Sequence, residues 1–421
     1  MKTKFLMIRV IFLKLIIINI IFIAYPSQSS CRSYHKAVVV SGRIVDERNF
    51  PVQSAKIIIT GQEVQSDKYG KFRFLNVTIP YDVVIAERSS STAVIYKNIT
   101  IEDPELILFG KPSARNSNTA IINVKFAEVP AGSSAIIKFI SSDVFYSEEV
   151  EVLSGEKSKT LLIEWPETQN TLNGNVIYLQ KSNALYQSFI DKSISIYKNT
   201  VPFELAFSGT NSNTLSSDVT IYLPYDNYRS KGYSVYADFF SYNRNSILML
   251  TREEGDIFKT KSIIPLKLPI SYRVKVSGFV DYDDGSGFEN YIYSKPGAVI
   301  NLETEEPPKL QTPSDKLNGA SGNTEFSYSN GSGTGIYVIH FHSFYPNMNF
   351  YVVTNEKSSN LSYLSRTEFQ KINSVEFKWN VKKYLTYFSV NDFVKPKVFN
   401  NDIGYKAVLR SAERTFKTGY F

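Results

Sequence analysis

The chain is 421 residues long and holds a single cysteine, so no disulfide can form within it and its stability must come from packed cores. Its 47 Lys and Arg exceed its 40 Asp and Glu mainly because the first 30 residues carry four basic side chains (Lys2, Lys4, Arg9, Lys14) and no acidic one; the remaining 43 against 40 leaves +3, with no clustered stripe to serve a nucleic acid. With 28 Tyr, 29 Phe and 4 Met, and with Ile and Val spread throughout at no helical period, the composition points to an all-β protein.

The cationic leader runs into an apolar stretch, Leu15 to Ala24 (LIIINIIFIA), that ends before Pro26. This is the pattern of a secretory signal peptide, expected over residues 1–30 and cleaved on export. The apolar run is too short for a comfortable membrane span. About 390 residues would remain, enough for two to four domains.

Cys31 follows directly, behind the small residues Ser29 and Ser30. A lone cysteine at this place resembles the acceptor of bacterial lipoproteins, which are cleaved immediately before a cysteine whose thiol takes a diacylglycerol. The resemblance implies lipid attachment at Cys31 and a membrane anchor. Gln28 stands where that pattern has Leu, Val or Ile, so ordinary cleavage near Ser27 to Ser29, leaving a free thiol, is the other reading. Arg32 replaces the aspartate associated with inner-membrane retention in enteric lipoproteins, which directs the expected destination to the outer membrane, with the periplasm or secretion as alternatives.

From Val38 to Ala86 the chain reads as strand, turn, strand, hairpin, strand. AVVVSGRIV is β-branched and closes at Asp46 to Pro51, where proline cannot donate to a ladder. Ala55, Ile57 and Ile59 alternate up to Gly61. Asp67 and Gly70 are expected to build a turn, the carboxylate accepting from backbone amides and the glycine taking positive φ, and Phe72 and Phe74 to share one buried face. Gly42-x-Ile44-x-Asp46, Pro51-Val52, Ala55-x-Ile57-x-Ile59-x-Gly61, Asp67-x-x-Gly70-x-Phe72-x-Phe74, and Asn76-Val77 followed by Tyr81-x-Val83 resemble the carboxypeptidase regulatory-like domain, a transthyretin-like β-sandwich. The resemblance implies a sandwich over residues 37–110 and a structural or binding appendage rather than a catalytic one.

Past a polar joint at Asn116 to Asn118, short strands recur (IINVKF, AIIKFI, VEVL, TLLIEW, VIYL), giving an expected sandwich over residues 117–207. A second polar stretch, Ser208 to Asp218, precedes VTIYL, YSVYADFF, SILMLT and SYRVKVSGFV, expected to form a third over 218–303. Val276-Ser277-Gly278 echoes Val40-Ser41-Gly42, which reads either as a degenerate repeat or as the chance likeness of β segments of similar composition. Glu303 to Pro308 (ETEEPP) reads as a linker. Leu310, Pro313, Phe326 and Tyr328, with strands at Gly335–Phe341 and Phe350–Thr354, resemble a fibronectin type III-like domain, which implies a fourth sandwich over 306–421.

Three places could carry chemistry. His340 and His342 flank Phe341 on a strand and share a face, but two imidazoles do not complete a zinc site, and polar strand residues facing solvent are the competing reading. Asp281, Asp283 and Asp284 gather around Gly285 and Gly287 in the manner of a calcium site, yet Gly285 occupies the fifth position of an EF-hand register, and a hairpin turn competes. Tyr233, Tyr236 and Phe239 lie in an aromatic-rich stretch that could stack on sugar faces or anchor a protein, whereas strand alternation would send half of them into a core. Neither His35, His340 nor His342 is followed by a zinc-peptidase glutamate, and no nucleophile elbow or phosphate loop is present, so no catalytic residue and no cofactor is assigned. The expectation is tandem β-sandwiches, transthyretin-like and Ig-like, that bind or scaffold at the cell envelope without catalysis. A glycan-binding or glycan-hydrolase accessory role, and a place in an export or outer-membrane assembly complex, are the alternatives; the partner is an envelope protein or a glycan.

Overall fold

The computed structural model describes residues 37–47, 50–110, 117–198, 202–207, 212–213, 216–223, 230–239, 247–255, 259–265, 271–280, 284–302, 304–329, 334–367, 369, 372–385, 387–395 and 407–419. They form an all-β molecule of tandem two-layer sandwiches. Among the described residues no helix is long and apolar enough to cross a membrane.

The first set of strands is β1 (Ala37–Asp46), β2 (Lys56–Ile59), β3 (Gln62–Gln65), β4 (Lys71–Thr78), β5 (Tyr81–Glu87), β6 (Thr92–Ile99) and β7 (Glu105–Leu108). Sheet β4-β1-β7 packs over β3-β2-β5-β6. The turn into β4 forms as its residues predict: Asp67 Oδ1 accepts from the amides of Tyr69 and Lys71, each at 2.8 Å, and Gly70 takes φ +74°. Phe72 and Phe74 then face the core together, their rings 6.0 Å apart.

The second set comprises β8 (Ser117–Lys125), β9 (Ser133–Ile140), β10 (Tyr146–Ser147), β11 (Glu149–Val152), β12 (Ser158–Pro166), β13 (Thr171–Ser182), β14 (Leu185–Tyr197), β15 (Phe203–Ala206) and β16 (Ser212–Asn213). Its sheets, β10-β12-β8-β15 and β11-β9-β13-β14-β16, enclose Phe139, Trp165 and Tyr178. The Trp165 indole donates to the Gln169 carbonyl at 2.9 Å, so this buried ring leaves no orphaned N–H.

The third set is β17 (Ser216–Tyr222), β18 (Ser230–Asp238), β19 (Ile247–Gly255), β20 (Lys259–Pro265), β21 (Ser271–Phe279), β22 (Gly287–Ser294) and β23 (Val299–Asn301). The fourth is β24 (Lys309–Thr312), β25 (Leu317–Ala320), β26 (Phe326–Ser329), β27 (Ile336–Phe344), β28 (Asn347–Thr354), β29 (Ser358–Ser359), β30 (Glu376–Tyr384), β31 (Ala407–Arg410) and β32 (Arg414–Thr418). A 3-10 helix, Ser362–Arg366, and a short helix α1 (Val390–Phe393), capped by Ser389 and Asp392, complete it.

A pairing rule recurs along the chain. In the first three sets the opening strand pairs in parallel with a strand near the end of the set (β1 with β7, β8 with β15, β17 with β23) and antiparallel with one other (β4, β12, β20). In the fourth, β25 pairs in parallel with the closing β32. The structural counterpart of β1 is therefore β17, not β21. The echo between Val276-Ser277-Gly278 and Val40-Ser41-Gly42 does not mark this repeat, because β21 lies between β18 and β22 in the other layer.

Three of the sandwiches share one sheet of 14 strands, whose main path runs β19-β18-β21-β22-β31-β30-β27-β28-β6-β5-β2-β3. The joins are β22 with β31, antiparallel, and β28 with β6, parallel, which brings Val352 opposite Ile95. The shared sheet is buried on both faces around β6: Val94 and Tyr96 enter the first core, while Ala93 and Ile95 enter the fourth with Phe326, Phe341, Phe350 and Trp379. The second sandwich packs Ile140, Leu179 and Phe189 into the core of the third, and its Phe145 meets Phe50 of the first at 4.1 Å between centroids. Contacts thus close a cycle, first to fourth to third to second and back to first.

Candidate binding surfaces

Strand alternation decides the fate of the aromatic stretch. On β18, Tyr233, Val235 and Ala237 enter the third core, and Tyr233 donates its hydroxyl to Glu253 Oε2 at 2.9 Å. Phe239 packs on the same core and stacks on Phe189 of the second sandwich at 6.0 Å and 9°. Tyr236 alone of the three expected residues turns to the opposite face. Tyr225, Tyr228, Phe240 and Tyr242 lie outside the described residues.

On that opposite face Tyr236 belongs to a set that the aromatic count did not single out. Arg273 is 3% exposed and its guanidinium sits 5.4 Å from the Tyr236 ring and 5.2 Å from the Tyr291 ring. Lys275 lies 5.4 Å from Tyr291 and pairs with Glu289, to which Tyr291 donates its hydroxyl. Tyr293 donates to Asp238 at 3.1 Å. The signal was present in SYRVKVSGF and FENYIY: period two places Arg273 and Lys275, and Tyr291 and Tyr293, away from the face that buries Tyr272, Val274 and Val276. Each cation rests on the negative face of a ring. One face of each ring is therefore engaged from within the chain by Arg273.

Cross-strand register carries the same face on through β31 and β30 to β27 and β28, where Arg410 lies opposite Lys382, Asn380 opposite His340, and His340 opposite Tyr351. His340 and His342 share this face, as their spacing requires. They are half-buried rather than open to water, stacked at 5.1 Å and 25° on one another, with His340 at 4.3 Å and 1° on Tyr351. His340 Nε2 is 3.0 Å from Asn349 Oδ1. Burial pushes the His340 pKa down to about 4, helped by the charges of His342 and Lys382 and opposed by the Asn349 bond. Burial likewise lowers His342, with Lys378 assisting and Glu413 opposing. Both rings are neutral at pH 7, but parallel stacking aims their lone pairs side by side rather than at a common point. Burial also lowers Lys382, against the pull of Glu47 and Glu289.

Asp281 and Asp283 lie outside the described residues, as does Cys31. Asp284 serves the backbone: its Oδ1 accepts from Ser286 N at 2.8 Å, its carbonyl accepts from Glu413 N at 3.0 Å, and Gly285 follows at φ +72°. Among the described residues no group of three or more His, Cys, Asp or Glu is placed to hold a metal ion.

An open cleft of about 640 Å³ lies over the outer face of sheet β24-β26-β29. Lys309, Gln311, Ser327, Ser329 and Ser358 project into it, and Glu306, Glu325 and Lys357 stand at its sides. Tyr328 lies beneath, its hydroxyl donated to the Glu356 carbonyl at 2.6 Å. Hydroxyl, amide and mixed charge make this a hydrogen-bonding trough rather than an apolar pocket. Its sequence signal was weak, since alternating Ser and Lys mark any solvent-facing strand.

No family model matches the chain, and no curated protein matches it. Among solved structures it is similar to the Bacillus anthracis TIE protein, at 12% identity over 63% of this chain, with a TM-score of 0.15; the match spans 49% of that protein, about half its length. It is also similar to a tetra-tandem repeat from the extending region of a large adhesion protein, at 9% identity, 92% of this chain, 100% of that one and a TM-score of 0.17. A third likeness is to a 1.5-MDa bacterial ice-binding adhesin described in connection with host cell surface retention, at 10% identity, 74% of this chain, 100% of that one and a TM-score of 0.17. Scores this low carry no argument about function, which has to be read from the chain's own residues.

Proposed function

We propose that this chain is an exported, non-catalytic binding and scaffolding protein of a bacterial envelope. The observation that carries the reading is the continuous sheet from β3 to β19, which welds three sandwiches into one body. A stiff frame of this kind holds loops and sheet faces in fixed register for a partner and needs no reacting group. The polar side chains singled out above support it, because Tyr233, Asp284, Arg273 and His340 all serve internal contacts. In this reading residues 37–110 are a carboxypeptidase regulatory-like module, 117–207 and 218–303 are further sandwiches, 306–421 is fibronectin-like, and Cys31 carries the lipid that tethers the protein to the outer membrane.

A glycan ligand is the second reading, favoured by one feature: the hydroxyl and amide lining of the cleft at Gln311, Ser327, Ser329 and Ser358. One experiment separates the two. A photo-reactive side chain at Gln311, in otherwise intact cells, is expected to cross-link an envelope protein; capture of polysaccharide instead establishes the glycan reading. Turnover of a substrate by the purified chain, lost on a single substitution, refutes both. Labelling with a fatty-acid analogue tests the tether separately, and a native chain that labels no better than Cys31→Ser overturns it.

A further inference from the structure

The two most exposed large apolar side chains among the described residues are neighbours: Tyr345 at 93% and Phe344 at 74%. With Pro346 they form the tip of the β27–β28 hairpin, where Phe344 lies opposite Asn347. We propose that this tip inserts into the headgroup region of an anionic lipid surface.

The tip is supported from within. The His342 ring meets Phe344 edge-on at 5.1 Å, and ladder pairs continue from Ser343 and Met348 down the hairpin. Both aromatics project from a fixed hairpin rather than from a long loop. The shape is convex, so the tip is the guest and not the host. A sugar platform would be flat or concave, whereas a protruding pair of rings enters something that deforms around it. Phenylalanine and the amphipathic ring of tyrosine both favour the boundary between water and acyl chains.

Charge selects the kind of surface. Lys378 Nζ stands 5.7 Å from the Phe344 ring, and its contact with Glu413, at 3.9 Å and open to water, is at the limit of an ion pair. The β5–β6 loop, which carries the exposed Arg88, reaches the same end of the sheet, because Asn349 N donates to Ser91 O at 3.0 Å beside the tip. Cations flanking exposed rings complement anionic headgroups. This contact does not depend on Cys31.

The test uses fluorescence local to the tip. Trp165 and Trp379, the chain's only tryptophans, are both fully buried, so Tyr345→Trp adds a single water-exposed reporter. With vesicles of phosphatidylglycerol and phosphatidylcholine its emission is expected to shift to the blue and to resist acrylamide. Phe344→Ser in the reporter background is expected to raise the lipid concentration needed by about tenfold, equivalent to about 1.4 kcal/mol. Arg88→Glu with Lys378→Glu is expected to abolish the preference for anionic over neutral vesicles. Because the readout is confined to the tip, a chain bound to vesicles through its leader or a lipid leaves it unmoved. Emission unchanged by vesicles, equal response to neutral and anionic vesicles, or a shift seen only on adding a protein each overturns the proposal.

Discussion

His340 offers a pH test of the packing at the centre of the shared sheet. Its pKa falls from the ordinary 6.5 to about 4 in the folded chain, mainly because the ring is buried against Tyr351 and His342. The sign follows from which state binds the proton. Above pH 6.5 the ring is neutral in both states and the burial costs nothing in protonation. As the pH falls below 6.5 the unfolded chain takes up a proton that the folded chain refuses, so stability drops at about 1.4 kcal/mol per pH unit until the folded pKa is reached. Between pH 7 and pH 5 the expected loss is about 2 kcal/mol from this ring, with His342 adding in the same direction. Among side chains only histidine has its ordinary pKa inside that window, and the chain has three; Asp82 and Glu87 have their pKa values lowered away from it, while burial raises Asp191 toward it against its bond from Asn175. His340→Phe keeps an aromatic ring against Tyr351 and removes the titration, at about 1 kcal/mol at pH 7 for the lost Asn349 bond. Urea unfolding followed by tryptophan fluorescence at pH 7 and pH 5 is the assay, since Trp379 lies beside Phe341 on the neighbouring strand. A variant whose midpoint falls with acid as steeply as the parent's would refute the argument that His340 is buried neutral.

Four further outcomes are expected. Lys383 is fully buried and pairs at 3.1 Å with Glu305, one-third exposed, so Glu305→Gln should lower stability by about 2 kcal/mol, less than for a fully buried pair because water reaches the carboxylate. Lys383→Met should cost less than Glu305→Gln, since it withdraws the buried charge as well as the pair, and chemical denaturation ranks the two. Gly70→Ala would set a Cβ 2.3 Å from the Ile44 carbonyl at φ +74°, so a loss above about 2 kcal/mol is expected by thermal melting, with the β3–β4 turn displaced in amide exchange. Residues 37–110 expressed alone should expose Ile58, Val84, Ala86, Ala93 and Ile95, which the fourth sandwich covers in the whole chain; size-exclusion chromatography should find that fragment associated, and a well-behaved monomer would contradict the shared sheet.

Local structure was legible wherever one face is buried and the period is two. Asp67 and Gly70 announce their turn by chemistry that acts within four residues, and Phe72 and Phe74 announce their face by alternation. The division of Tyr233 from Tyr236 was legible in the same way, as an alternation that sends one inward and the other out. What alternation cannot encode is which strand lies next to which. Ile95 and Val352 are both apolar β formers, and nothing in either segment specifies a partner more than 250 residues away. One hint was available: the run Ala93–Tyr96 is apolar at every position, as a strand covered on both faces must be. The histidine pair shows the complementary limit. Its shared face followed from spacing, but its burial depends on Tyr351 and Asn349 from a neighbouring strand, and a sequence cannot say that a face is covered.

The parallel join of β6 to β28 changes how a tandem array should be understood. In a string of beads each sandwich is its own cooperative unit and the joints bend. Here the first and fourth sandwiches share a sheet, the fourth and third share it again, and the second closes the cycle through Phe189 and Phe145. The two joins within the shared sheet could bend only by breaking ladder hydrogen bonds, as at the five β6–β28 pairs from Asn349↔Thr92 to Val353↔Tyr96. Each such bond is worth about 1 kcal/mol net, and the apolar faces that would open with it cost more. Bending at these two joins is therefore closed. In the proposed binding role, recognition falls to what the rigid body holds still, and the two proposed surfaces, the trough over β24-β26-β29 and the aromatic tip at Phe344 and Tyr345, lie on one sandwich, the member of the cycle that the shared sheet flanks on both sides.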